Sequence, residues 1–149
     1  MTLDNLLALT IPYSLGHNQF TIDLISMNNV NGKLYYETLI NQNVQKKYGI
    51  YAFCNPIKNN VLYIGKGGTL KNDGTYRLQN LNGRLKAARG LFPNSFEYFK
   101  DIMNQENFKS LFFLVLYSSD NYPPAYIESV ALHQYFNLHN HLPMFNNEF

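Results

Sequence analysis

Two short phrases, Tyr48-Gly49-Ile50-Tyr51 and Leu62-Tyr63-Ile64-Gly65-Lys66, constrain this chain more than any other feature. Each lies in a run of β-branched and aromatic residues, and Asn55-Pro56 punctuates the space between them. Tyr48–Cys54 therefore predicts a strand, Asn55–Asn60 a turn and Val61–Gly65 a second strand, together a β-hairpin. Side chains alternate faces along a strand, so Tyr51 and Tyr63 can stand side by side on one face. Taken alone, two packed tyrosines are ordinary hairpin filling.

After the hairpin, Gly65–Gln79 reads as a Gly-, Lys- and Thr-containing loop that turns at Asp73-Gly74. Asn80 or Asn82 then caps a short helix predicted to run through Arg89, with Gly90 in the left-handed position that ends it. Pro93-Asn94 or Ser95 starts the next helix, whose Phe96, Phe99, Ile102 and Met103 recur at helical spacing as one apolar stripe. Leu111–Tyr117 is almost continuously apolar, which suits a strand covered on both faces. Pro123 and Pro124 open a last helix at positions proline accepts. Ile127, Val130, Ala131 and Leu138 are its inward residues, and it ends before Pro143. The order strand, strand, helix, helix, strand, helix predicts an α+β domain over residues 47–149. Its sheet is small, mostly antiparallel and three-stranded, flanked by helices. Residues 1–46 form an N-terminal extension, in which Phe20–Ile25 and Lys33–Leu39 are each strand or helix; polar, basic Asn41–Lys47 marks the boundary.

A length of 149 residues supports one domain, and 46% hydrophobic residues argue against disorder. Cys54 has no partner for a disulfide, and Met1–Ile11 lacks the basic start and apolar stretch of a signal peptide. The longest apolar run, Leu111–Tyr117, is far short of a membrane span. These features point to a cytoplasmic, reducing setting with no membrane partner. The net charge is only +2, but its distribution is uneven. Lys58, Lys66, Lys71, Arg77, Arg84, Lys86 and Arg89 face the single acid Asp73 within that stretch, a local field that attracts phosphate. Gly65-Lys66-Gly67-Gly68-Thr69 lacks P-loop spacing, and His133, His139 and His141 lack the partners of a zinc motif.

The tripeptides Gly49-Ile50-Tyr51 and Tyr63-Ile64-Gly65, one on each predicted strand, resemble the signature of the GIY-YIG nuclease superfamily. The resemblance covers about Lys47 to Phe149. It implies an endonuclease that hydrolyses phosphodiester bonds of double-stranded DNA with one Mg²⁺ or Mn²⁺ ion, in restriction, mobile-element cleavage or repair. It assigns Tyr51 as the base that activates water and Tyr63 as a group that orients water and phosphate. A phenol titrates near ~10, so cations must stabilise its anion, and Lys66 is the nearest in sequence. Arg84, in Gly83-Arg84-Leu85, matches the family's arginine, which grips phosphate oxygens and opposes transition-state charge. Arg89 reads as a solvated helix arginine. Where many relatives carry histidine one turn on, this chain has Ala87-Ala88, so Lys86 or Lys71 is expected to meet the phosphate instead. Glu128 matches the metal-binding glutamate; a hard cation that keeps its waters needs only one such carboxylate. Asn146, in Pro143-Met144-Phe145-Asn146, matches a closing asparagine that braces the site, with Asn147 as its neighbouring alternative. The other reading is a catalytically inactive nucleic-acid-binding module of the same fold. Cutting both strands with one site per chain takes a homodimer or sequential nicks, and the extension is expected to recognise DNA, to dimerise or merely to cover the sheet.

Overall fold

The predicted hairpin forms, and it occupies one side of a larger sheet. In the computed structural model, which describes residues 1–55 and 59–147, the chain begins with helices α1 (Leu3–Leu7) and α2 (Thr10–Tyr13). Strand β1 (Gly16–Asp23) follows, then helices α3 (Leu24–Met27) and α4 (Gly32–Asn43). The hairpin strands are β2 (Gly49–Asn55) and β3 (Asn60–Gly67). A small ribbon of β4 (Thr69–Leu70) and β5 (Tyr76–Arg77) leads into α5 (Leu81–Arg84) and α6 (Ser95–Gln105). Strand β6 (Ser110–Tyr117) and helix α7 (Pro124–His139) complete the fold.

The main sheet has four strands in the order β1-β6-β2-β3, every pair antiparallel. The α+β class agrees with the sequence, but the expected three strands become four. The additional strand is β1, paired with β6 from Gly16↔Tyr117 to Asp23↔Ser110. Local pattern left it open between strand and helix, because only one face of β1 is covered and its first residues are polar. Of the two open alternatives in the extension, Phe20–Ile25 belongs largely to β1 and Lys33–Leu39 to helix α4. The loop expected over 65–79 contains the β4–β5 ribbon, closed at Asp73-Gly74 where the Asp73 carboxylate accepts from the Thr75 amide at 2.9 Å. Of the predicted turn Asn55–Asn60, residues Pro56, Ile57 and Lys58 lie outside the described residues.

Alternation along β2 divides the interior in two. Tyr51 and Phe53 enter a core with Phe99, Phe113 and Tyr36, under α4, α5 and α6. Ile50, Ala52 and Cys54 enter the opposite core with Leu6, Ile127, Ala131 and Tyr135, under α1 and α7. The stripe of α6 is buried as its spacing predicts, and Asn94 is the cap, its Oδ1 accepting from the Glu97 amide at 2.9 Å. On α7, Ile127 and Ala131 are buried and Val130 is partly so, but Leu138 is 61% exposed. Leu132 and Tyr135 hold the inward places instead, and His139 takes the last-turn contact with the Met1 amine. No helix among the described residues is long and apolar enough to cross a membrane.

Candidate active site

Gly65 decides where Tyr63 points. The two alternate onto one face of β3, and a Cβ on Gly65 would lie 2.6 Å from the Tyr63 hydroxyl and closer still to its ring. Without that Cβ, the phenol lies down over Gly65 while its ring still stacks on Phe53 of the core. Gly67 places the next element: its backbone approaches Asn80 and Leu81 so closely that a Cβ would sit 2.9 Å from the Leu81 amide nitrogen. That contact docks the start of α5, capped by Asn80 through the Gly83 amide at 2.9 Å, and so carries Arg84 to the Tyr63 side. Helix α4 braces α5 from behind, with the Tyr36 hydroxyl donating to the Leu85 carbonyl and the Val44 carbonyl accepting from Asn82 at 2.8 Å. The first 46 residues thus position Arg84.

Glu128 arrives from the other face of the sheet. It belongs to α7, which packs on the Ile50 and Ile64 side, whereas Tyr63 leans on the Tyr51 and Phe53 side. The groups meet because β3 is an edge strand: beyond Ile64 a side chain from either face can reach round the rim. Tyr63, Lys66, Arg84 and Glu128, with Gly68, Thr69, Leu78 and Gln79, line one hollow of about 420 Å³. The C-terminal segment covers the neighbouring part of that rim. Asn146 accepts from the Ile64 amide at 2.9 Å and donates to the Ile64 carbonyl at 2.8 Å, and the Phe145 amide donates to the Leu62 carbonyl at 2.9 Å.

No family model, curated protein or solved structure matches this chain.

The hollow mixes charges of both signs at partial burial. Burial pushes the Tyr63 phenol above its ordinary value; the Arg84 guanidinium pulls it down and the Glu128 carboxylate pushes it up. Burial also raises Glu128, with Lys66 opposing. Glu128 joins no ion pair among the described residues, whose pairs are Lys33–Glu37 and Lys71–Asp73. No group of three or more His, Cys, Asp and Glu that could hold a metal occurs among them. A lone, half-buried carboxylate without an ion-pair partner fits an ion such as Mg²⁺ that retains most of its waters, and does not fit a closed zinc centre.

The remaining expected residues lie elsewhere. Tyr51 is fully buried, and its hydroxyl has no hydrogen-bond partner among the described residues. Its ring contacts that of Tyr63 at 5.5 Å, so the two phenols are neighbours, but Tyr51 does not line the hollow. Lys71 is on the distal turn of the β4–β5 ribbon, 3.8 Å from Asp73. Lys86 is tied to Asn41 of α4. Arg89 corrects the sequence reading. Helix α5 stops at Arg84 rather than continuing through Arg89, and Gly90 takes φ +55° in the turn beyond. The Ser95 hydroxyl donates to the Ala87 carbonyl at 2.7 Å and to that of Arg84 at 3.3 Å, completing the helix end. Arg89 therefore turns inward and is 8% exposed. Its guanidinium lies among the rings of Tyr98, Tyr51, Phe99 and Tyr63, at 4.9 to 5.5 Å. Burial lowers its pKa, with Tyr98 and Tyr36 opposing, and Nε and Nη2 are unpaired. No local signal marks this inward turn, because the group that ends α5 is supplied from the start of α6.

Proposed function

We propose that this chain is a metal-dependent DNA endonuclease that hydrolyses phosphodiester bonds at the rim of β3. The supporting observation is the convergence of a phenol, a guanidinium, an ammonium and a carboxylate, from three elements and both faces of the sheet, on one hollow roomy enough for a phosphate and its neighbouring groups. It agrees with the roles that the GIY-YIG resemblance implies, with one reassignment. Access to the hollow gives the part of proton acceptor to Tyr63 rather than Tyr51. Arg84 grips the phosphate and opposes the charge that grows on it, and Lys66 adds a second positive charge beside Tyr63 and Glu128. Arg84 also favours the Tyr63 anion, which a desolvated phenol needs before it can take a proton from water. Glu128 would hold Mg²⁺ or Mn²⁺, and such an ion, when bound, supplies positive charge to the phosphate and the leaving oxygen. A cytoplasmic setting, double-stranded DNA as substrate and a homodimer for cutting both strands belong to the same proposal, as do restriction, mobile-element cleavage or repair as its context.

The sealed hydroxyl of Tyr51 favours a second reading, a nucleic-acid-binding module that keeps the fold without catalysis. Incubating supercoiled plasmid with Mg²⁺ separates the two. The nuclease reading expects nicked and then linear product from wild type, and a loss on the order of 10²–10³-fold for Glu128→Ala. Binding without any nicking, in Mg²⁺ or Mn²⁺, selects the module instead.

A further inference from the structure

The β4–β5 ribbon contributes little to either core, yet its two roots form the mouth of the hollow: Gly68 and Thr69 on the way in, Leu78 and Gln79 on the way out. The ribbon is anchored by the Tyr76 ring, stacked on Tyr48 at 4.2 Å and 10°. Leu78 follows directly, and it breaks two rules at once. It is 73% exposed, and its φ is +65°. In the left-handed region the Cβ crowds the following carbonyl, so a bulky residue there is rare and strained. Glycine or asparagine would make the same turn at lower cost, and no burial offsets the cost for Leu78. A strained apolar side chain held in water at the lip of a polar hollow is explained by a ligand that it meets. Its surroundings restrict that ligand. Arg77 precedes it, exposed to solvent, and Lys66 and Arg84 lie inside the lip. Of the two nearby acids, Asp73 is occupied by Thr75 and Lys71, and Glu128, inside the hollow, is outnumbered by Lys66 and Arg84. The ligand must therefore present an apolar face and an anionic group side by side, as a nucleotide does with its base and phosphate.

We propose that Leu78 is a wedge that inserts beside an unstacked base next to the phosphate in the hollow, so that the substrate is duplex DNA with an unpaired or extrahelical base. The identity of the ligand rests on the nuclease reading above. In a regular duplex both faces of each base are covered, and an apolar side chain gains contact only where stacking is broken. Inserting such wedges at base steps is a general device of DNA-distorting proteins, and unstacking costs least where pairing is already lost.

The test uses a short duplex, either fully paired or carrying one extrahelical 2-aminopurine, with the full chain in EDTA so that no strand is cut. Wild type is expected to bind the extrahelical duplex on the order of tenfold more tightly than the paired one, with a change in 2-aminopurine emission. Leu78→Gly keeps the left-handed turn and removes the wedge. It is expected to bind the paired duplex as wild type does and to lose both the preference and the emission change. Equal wild-type affinity for the two duplexes, a preference that survives in Leu78→Gly, or equal losses on both duplexes would each overturn the wedge. If that happens while wild type still nicks plasmid, the wedge falls alone. If wild type neither binds these duplexes nor nicks, the nuclease reading falls and takes the wedge with it.

Discussion

Tyr63 and Arg84 face the hollow, while Tyr51 and Arg89, with the same functional groups, are sealed behind them. The open pair lies at the rim of an edge strand, half-buried, with Lys66 and Glu128 lining the same hollow. The sealed pair is fully or nearly fully buried, and the phenol hydroxyl and two guanidinium nitrogens have no hydrogen-bond partner among the described residues. A buried group without a partner forgoes its hydrogen bonds to water, which costs stability and gives no access to substrate. The difference shows that residue type alone does not make a site here. Whether a phenol or guanidinium can act depends on its reach to solvent, which one missing Cβ at Gly65 and one helix end at Arg84 decide.

Exchanging the arginines gives the largest expected contrast. Arg84→Met should lower plasmid nicking on the order of 10²–10³-fold with little change in melting temperature, because it removes a half-buried charge that lines the hollow and joins no ion pair among the described residues. Arg89→Met should leave nicking within a few-fold and be neutral or stabilising by about 1–4 kcal/mol in urea unfolding, as when buried charges give way to apolar groups of similar volume. A large nicking loss in Arg89→Met would break the comparison, since the sealed arginine would then serve the chemistry. The tyrosines sharpen it further. Tyr63→Phe should cost about 10²-fold in nicking rate, the usual scale for one proton-transfer group. Tyr51→Phe should keep the rate and stabilise the fold by about 1 kcal/mol, by removing a buried hydroxyl that bonds to nothing. Equal rate losses in the two variants would show that both phenols act as a unit.

The smallest effect concerns pH. Burial holds Glu128 above the usual carboxylate value of 4.5, so the folded state keeps this proton more tightly than the unfolded chain does. The stability linked to this group is fully present below 4.5 and is lost as pH rises through the folded-state value. Wild type and Glu128→Gln should therefore unfold at similar temperatures in acid, and the variant should become the more stable by a few degrees towards neutrality. A variant equally stable or weaker at neutral pH would mean that Lys66 and Arg84 need Glu128 as a counter-charge more than the fold resents burying it.

Much of this architecture was legible in the chain because the relevant signals are local. The Asn55-Pro56 break between two β-prone runs, the Phe96–Met103 stripe and the Pro123-Pro124 helix start each depend on neighbours a few residues away. Strand β1 was missed as a definite element because its polar residues acquire meaning only beside β6, far along the chain. The end of α5 was missed for the same reason, its partner being Ser95. Within the candidate site, Tyr63, Arg84 and Glu128 were singled out by what the GIY-YIG resemblance implies, and Lys66 as the cation nearest to Tyr63 in sequence. The roles of Tyr51 and Arg89 could not be read, because neither alternation nor composition encodes which polar atoms remain in contact with water.

By itself, the sequence determined the two strands of the hairpin and most of the inward helix residues, as consequences of backbone periodicity and residue type. The candidate phosphate-binding groups were singled out by the resemblance of the two tripeptides and their flanking residues to a family signature. Only the tertiary structure decided which of those groups share a hollow. Glu128 and Tyr63 start from opposite faces of the sheet, and they meet because β3 is its edge. Strand order is set by pairing between distant segments, and that is a property of the folded chain rather than of any stretch within it.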